Sequence, residues 1–120
     1  MNTAAATPAA LPQPKYLYKA RVVKIVDGDT LDLDVDLGLR VRTQIRARLF
    51  DVDAPEKWDP RGLALTQLLQ AMLPPGSEVL VHTYKDPKDK FGRWLAKVSH
   101  SCFEGDMAAW LIANGHMKEA

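Results

Sequence analysis

From Val22 to Leu49 the chain reads VVKIVDGDTLDLDVDLGLRVRTQIRARL, and this stretch decides the fold. After the Asp27-Gly28 step, Leu31, Leu33, Val35 and Leu37 alternate with Asp32, Asp34 and Asp36. Beyond Gly38, Val41, Ile45, Ala47 and Leu49 alternate with Arg42, Gln44, Arg46 and Arg48. A period of two sustained over this length is the mark of half-buried strands. Val22, Ile25 and Val26 begin a first strand, Asp27-Gly28 carries turn chemistry, and a hairpin bending near Gly38 sets the acidic row beside the basic row. Opposed charges of this kind read as cross-strand pairs on a solvated face, each contributing from a few tenths to about 1 kcal/mol. Asp32, Asp34 and Asp36 are therefore not counted as metal ligands.

Outward from this core the signals change period. Asp59 is placed to cap a helix and Pro60 fits its first position; Leu65, Leu68, Leu69 and Met72 form an apolar stripe before Pro74-Pro75-Gly76 ends it. Ser77 to Tyr84 and Arg93 to Val98 read as strands joined by a charged loop from Lys85 to Gly92. Asp106 can cap a second helix running through Asn114, with Gly115 terminating it in a left-handed conformation. The expected fold is α+β and mostly β, a five-stranded OB-type Greek-key barrel with two packed helices.

Residues 1–14 are rich in Ala and Pro and are expected to be a disordered tail, leaving residues 15–120 as one domain. The tail lacks the positive start and unbroken apolar run of a secretory signal, and no later segment has the length of a membrane span. A cytoplasmic monomer without a membrane partner is the expectation. The 120 residues are 47% apolar and 26% charged with a formal net charge of +1, so any polyanion must be met by a local patch rather than by global charge. Cys102 is the single cysteine, which excludes an intrachain disulfide and a thiolate zinc site and leaves it as a small buried hydrophobe. His82, His100 and His116 have none of the spacings of a zinc centre and are read as structural or exposed. Trp94 and Trp110 are assigned to core or rim packing, while Trp58 is kept as a rim aromatic.

Three polar clusters fall where strands should end: Asp27-Gly28-Asp29-Thr30, Arg48 through Asp53-Ala54-Pro55-Glu56, and Asp89-Lys90-Phe91-Gly92-Arg93. Singly, each is an ordinary turn or solvated loop. Jointly, they offer hard carboxylates for a divalent cation, a further carboxylate to handle a proton, and guanidinium forks for a phosphate, which is the equipment of a metal-dependent phosphodiesterase. Asp29 and Asp53 fall on the inward parity of their strands, where a barrel mouth opens to solvent and an uncompensated acid is costly. Arg48 has the opposite parity and reaches the same place only if the strand coils strongly or bulges before Asp53. Asp51 reads as a solvent-facing acid.

In order and separation these clusters resemble the staphylococcal (thermo)nuclease family, with similarity running from about Lys19 to Gly115. The resemblance implies that Asp29, Asp53 and the carbonyl of Ala54 hold Ca²⁺, that Glu56 acts on the attacking water, and that Arg48 and Arg93 bind the scissile phosphate, with Lys90 and Phe91 also touching substrate. Family members cleave DNA and RNA, typically with calcium, leaving 3′-phosphate ends. The expectation that follows is a calcium-dependent nuclease acting endonucleolytically on DNA, with RNA as a further substrate class. Ala54 stands where the founding enzyme has Thr, but the ligand there is a carbonyl, so calcium binding should survive. Phe91 replaces a tyrosine and keeps stacking without the hydroxyl. The alternative is a noncatalytic OB-fold module that binds nucleic acid or protein, and a third reading is a nuclease active only beside a partner. Glu56 together with paired inward aspartates favours the enzyme.

Overall fold

The computed structural model describes residues 11–50, 52–55, 58–84, 93–103 and 105–119. Strands β1 (Leu17–Asp27), β2 (Thr30–Gly38) and β3 (Val41–Leu49) form an antiparallel meander. A short β4 (Val52–Asp53) leads to helix α1 (Pro60–Met72), followed by β5 (Glu78–Tyr84) and β6 (Trp94–His100). A 3₁₀ turn at Ser101–Phe103, β7 (Gly105–Asp106), helix α2 (Met107–Ala113) and β8 (Lys118–Glu119) complete the order.

The sheet runs β3-β2-β1-β5-β6, and a parallel β3–β6 pairing closes it into a barrel, with β7 added beside β6 and β4 paired to β8. This is the expected five-stranded barrel of OB type with two helices. Alternation explains it: Val22, Leu31, Leu33, Val35, Ala47, Leu49, Val81, Ala96 and Val98 all turn inward and are almost wholly buried. Each fully buried Leu or Val contributes about 1.5–3 kcal/mol relative to exposure. Among the described residues no helix is long and apolar enough to cross a membrane.

The acidic and basic rows pair as read from the sequence. Asp32 lies opposite Arg46, Asp34 opposite Gln44 and Asp36 opposite Arg42. Arg46 Nε is 2.8 Å from Asp32, and Arg42 Nε is 3.1 Å from Asp34. At the hairpin, Gly38 pairs with Val41 around a two-residue turn of Leu39 and Arg40, both at positive φ (54° and 64°). β1 carries irregularities between Val22 and Lys24 and between Ile25 and Asp27, which bend it around the core.

Helix α1 has the expected Asp59 cap, whose carboxylate accepts from the Arg61 amide at 2.9 Å. Its buried stripe differs from the expected one, being Gly62, Leu65, Thr66 and Leu69, continued by Leu73 at the C-cap, while Leu68 is exposed. Thr66 can be buried because its hydroxyl donates to the Gly62 carbonyl at 2.9 Å, which removes the desolvation penalty that hides it from an apolar-periodicity reading. Asp106 caps α2 by accepting from Ala108, and Gly115 follows it at φ 74°.

Candidate active site

The site is built where β1 gives way to β2. Asp27 pairs with Thr30 across the turn, and Asp27 Oδ1 accepts from the Asp29 amide at 3.1 Å. Gly28 is buried in this turn, and a Cβ on it would lie 2.6 Å from Leu65 Cδ2 and 2.9 Å from Ala54 Cβ. The bare glycine therefore lets α1 and the segment after β4 close on the turn. That approach sets the Ala54 amide 3.1 Å from Asp29 Oδ2, while Thr30 Oγ1 donates to Oδ1 at 3.0 Å. The Leu49 amide donates to the Asp29 carbonyl at 2.8 Å, fastening the end of β3 to the same turn.

Arg48 binds the pieces together. It is the register partner of Thr30, and its Nη1 donates to the carbonyls of Leu49 and Val52 at 2.7 and 2.8 Å. Nη2 lies 2.5 Å from Asp53 Oδ1 and 3.5 Å from Asp29 Oδ2. A reading by alternation alone turns Arg48 away from the acids. The chain brings it back by breaking its period: Leu49 and Val52 are both buried although three residues apart, so the phase changes between β3 and β4. The same change corrects the inward placement expected for Asp53. Its side chain is 63% exposed against 14% for Asp29, so Asp53 stands on the rim while Asp29 lies beneath.

The two turn acids are driven apart in their titration. Burial alone would raise Asp29, but the hydrogen bond with Asp27, the Ala54 amide, the charge of Arg48 and the Thr30 hydroxyl together hold it below its ordinary value. Burial, then the hydrogen bond and charge of Asp29, push Asp27 up. On acidification Asp27 therefore takes a proton before Asp29.

Arg93 is half-buried one residue ahead of β6, where Leu95 is the register partner of Arg48. Barrel closure thus brings the entrance of β6 alongside Arg48. Glu56, Lys90 and Phe91, like Asp51, lie outside the described residues. Sequence reasoning gave Asp27 and Gly28 only a turn and Thr30 no role of its own, although all three lie in the motif it singled out; the close approach that Gly28 permits depends on Leu65 and Ala54, far along the chain. Of the other residues weighed, Trp58 is 82% exposed and Trp94 40% exposed, while Trp110 packs between Phe103 and His116 at centroid distances of 5.3 and 5.5 Å. Cys102 is half-buried, with burial raising its thiol pKa.

Among the described residues no three His, Cys, Asp or Glu side chains gather as a metal centre. The chain offers instead two carboxylates sharing one guanidinium nitrogen, with the Ala54 backbone hydrogen-bonded to one of them. Oxygen-only donors of this kind fit a hard divalent cation whose remaining positions are filled by water, and the acids already hold a positive charge between them. A hollow of about 630 Å³ adjoins the site, lined by Asp53, Ala54, Pro55, Arg61, Leu65, Leu68 and the segment from Gly115 to Met117. A larger hollow of about 860 Å³ lies elsewhere, among Lys19, Arg21, Asp36, Arg42 and Glu78, and contains none of the site residues.

No family model matches the chain. It is similar to Protein ParB of Escherichia coli, 38% identical over 82 residues that make up 67% of this chain and 41% of that protein. It is similar to the Micrococcal nuclease of Shigella flexneri, 42% identical over 81 residues (68% of this chain, 42% of that one). An Uncharacterized endonuclease of Escherichia coli O157:H7 is 33% identical over 78 residues, 65% of this chain and 46% of its own length. The chain spans less than half the length of these relatives.

Proposed function

The chain belongs to the staphylococcal nuclease-like family, and from that premise we propose that it is a calcium-dependent nuclease that hydrolyses phosphodiester bonds of DNA, with RNA as a further substrate class. The observation that carries the reading is the convergence of Asp29 and Asp53 on a single nitrogen of Arg48, next to Ala54. Asp29, Asp53 and the Ala54 carbonyl would hold the cation, which when bound supplies charge stabilisation to a nonbridging phosphate oxygen.

The side chains do the rest. Arg48 has one arm of its fork fixed by two backbone carbonyls, so its plane is set before any substrate arrives. Its other arm neutralises the acids and would donate to phosphate when a cation is held by them. Arg93 would supply the second guanidinium at the entrance of β6 and, with Lys90 and Phe91, complete the substrate contacts. Glu56 would take or orient the proton of the attacking water, a role that contributes about 10²–10⁴-fold. Asp29, held below its ordinary value by its partners, is ionised and available as a ligand at neutral pH.

A second reading, a noncatalytic OB-fold module that binds nucleic acid or protein, is favoured by one observation. Arg48 already compensates Asp29 and Asp53, and Asp53 is exposed, so their stability does not itself require a cation. Cleavage separates the two. Wild-type protein and Glu56→Gln are incubated with end-labelled single-stranded DNA in Ca²⁺, Mg²⁺ or EDTA, and the product ends are analysed. The nuclease reading expects internal cuts bearing 3′-phosphates in calcium, none in EDTA, and a loss of at least a hundredfold in Glu56→Gln. DNA retained but never cut in any metal would establish the binding module instead.

A further inference from the structure

We propose that the outer face of β3, β6 and β5 is a base-stacking track that takes single-stranded nucleic acid from the Arg48 site across Phe50, Tyr84 and His82; the proposal rests on the nuclease reading. Strand register lays out this face. Arg48 lies opposite Leu95 and Leu95 opposite Tyr84, while Lys97 lies opposite His82. The Phe50 amide donates to the Ala96 carbonyl at 3.0 Å and continues the β3–β6 pairing past Leu49. Leu49, between Arg48 and Phe50, and Ala96, between Leu95 and Lys97, are wholly buried inside, as is Val81 just ahead of His82, so alternation puts Phe50, Leu95, Lys97, His82 and Tyr84 on the other face.

There they form a ladder. The rings of Phe50 and Tyr84 stack at 5.0 Å and 24°, and those of Tyr84 and His82 at 4.4 Å and 30°. The Tyr84 hydroxyl lies 3.2 Å from His82 Nδ1, and Lys97 Nζ sits 5.8 Å from the centre of the Phe50 ring. Phe50, Tyr84 and His82 are all half-buried residues, so the ladder as a whole keeps a part open to solvent. Aromatic faces flanked by cations are what a strand-tolerant groove requires, because every base has a π-face and every phosphate a charge. Continuity fixes the occupant: Phe50 is two residues beyond Arg48 on the same strand path, and Lys97 carries positive charge across the ladder. A duplex hides its base faces in its own stack, so only an unpaired strand can use these rings.

The test compares wild type, Tyr84→Phe and Tyr84→Leu by KM and kcat on a single-stranded oligonucleotide, its duplex, and methyl p-nitrophenyl phosphate, which has no base. Thermal melts accompany each variant, and Phe50→Leu replaces Tyr84→Leu should the latter not fold. Tyr84→Leu is expected to raise the single-strand KM about tenfold relative to that for the small diester, the size of one lost stacking contact, with Tyr84→Phe near wild type. An unchanged ratio in the leucine variant, or a wild type that prefers duplex, overturns the track. If wild type cleaves nothing, the nuclease reading fails by itself, and anisotropy with a labelled oligonucleotide decides the track. Weaker binding by Tyr84→Leu with Tyr84→Phe intact supports it, and equal binding by all three overturns it.

Discussion

Arg48 explains why two acids can sit side by side in a protein with a nearly balanced charge. A carboxylate covered without a partner is expensive, and the guanidinium offsets that penalty for Asp29 while reaching Asp53 on the rim. Arg48→Gln is therefore expected to lower stability in calcium-free buffer by about 1–3 kcal/mol, since it also strips a donor from two carbonyls. If cation and arginine share the acids, calcium will raise the Tm of the variant more than that of wild type. Equal rises in calorimetric melts would show that they do not. Gly28 has the opposite character, acting by what it lacks. Gly28→Ala pushes a methyl group to within 2.6 Å of Leu65 and 2.9 Å of Ala54, and a loss of about 1–3 kcal/mol in urea melts is expected, together with weaker calcium binding. Retained stability and affinity would mean that the Ala54 amide reaches Asp29 without this close approach.

The hairpin of β2 and β3 is legible because its side chains keep one period from Leu31 to Val35 and from Ile45 to Leu49, and its charges add a second, concordant signal, although Leu37 and Val41 beside the turn are exposed. Asp32 is held below the usual carboxylate range, first by the hydrogen bond from Arg46, with burial opposing and the charges of Arg46 and Lys24 assisting. A depressed carboxyl stabilises the fold above its unfolded pKa of about 3.9 and loses that contribution as pH falls through the folded value. Asp32→Asn should thus cost about 0.3–1 kcal/mol at pH 7, with the gap to wild type closing below about pH 4. A gap that persists in acid would assign the loss to packing. The turn is the weak point of the element, since Leu39 and Arg40 adopt a conformation that suits Asn and Gly. Replacing them by Asn-Gly is expected to add about 1–2 kcal/mol, read by denaturant midpoint. Where the period breaks, sequence reasoning fails for a physical reason. Between Leu49 and Val52 the chain leaves one sheet for another, so Asp53 moves to the rim and Arg48 turns toward the acids, neither visible to a rule that counts by twos. Thr66 escaped for a different reason, its polarity being cancelled by a hydrogen bond within its own helix.

At the scale of the whole molecule, closure of the barrel does the assembling. The parallel β3–β6 pairing joins the arginine-bearing end of one strand to the entrance of another, so Arg48 and the start of β6, far apart in sequence, become neighbours in the sheet. Net charge says little about such a protein, because the positive groups proposed to meet substrate are gathered locally around Arg48, Arg93 and Lys97 while acidic and basic rows cancel elsewhere. The proposal makes Asp29 and Asp53 the holders of the cation, and the most direct test is the rate of single-stranded DNA cleavage as a function of calcium concentration for wild type and Asp53→Asn. A saturable calcium dependence, abolished by EDTA and displaced to at least tenfold higher calcium in the variant, is expected. Cleavage that persists in EDTA, or a calcium dependence identical in the two proteins, would contradict the assignment.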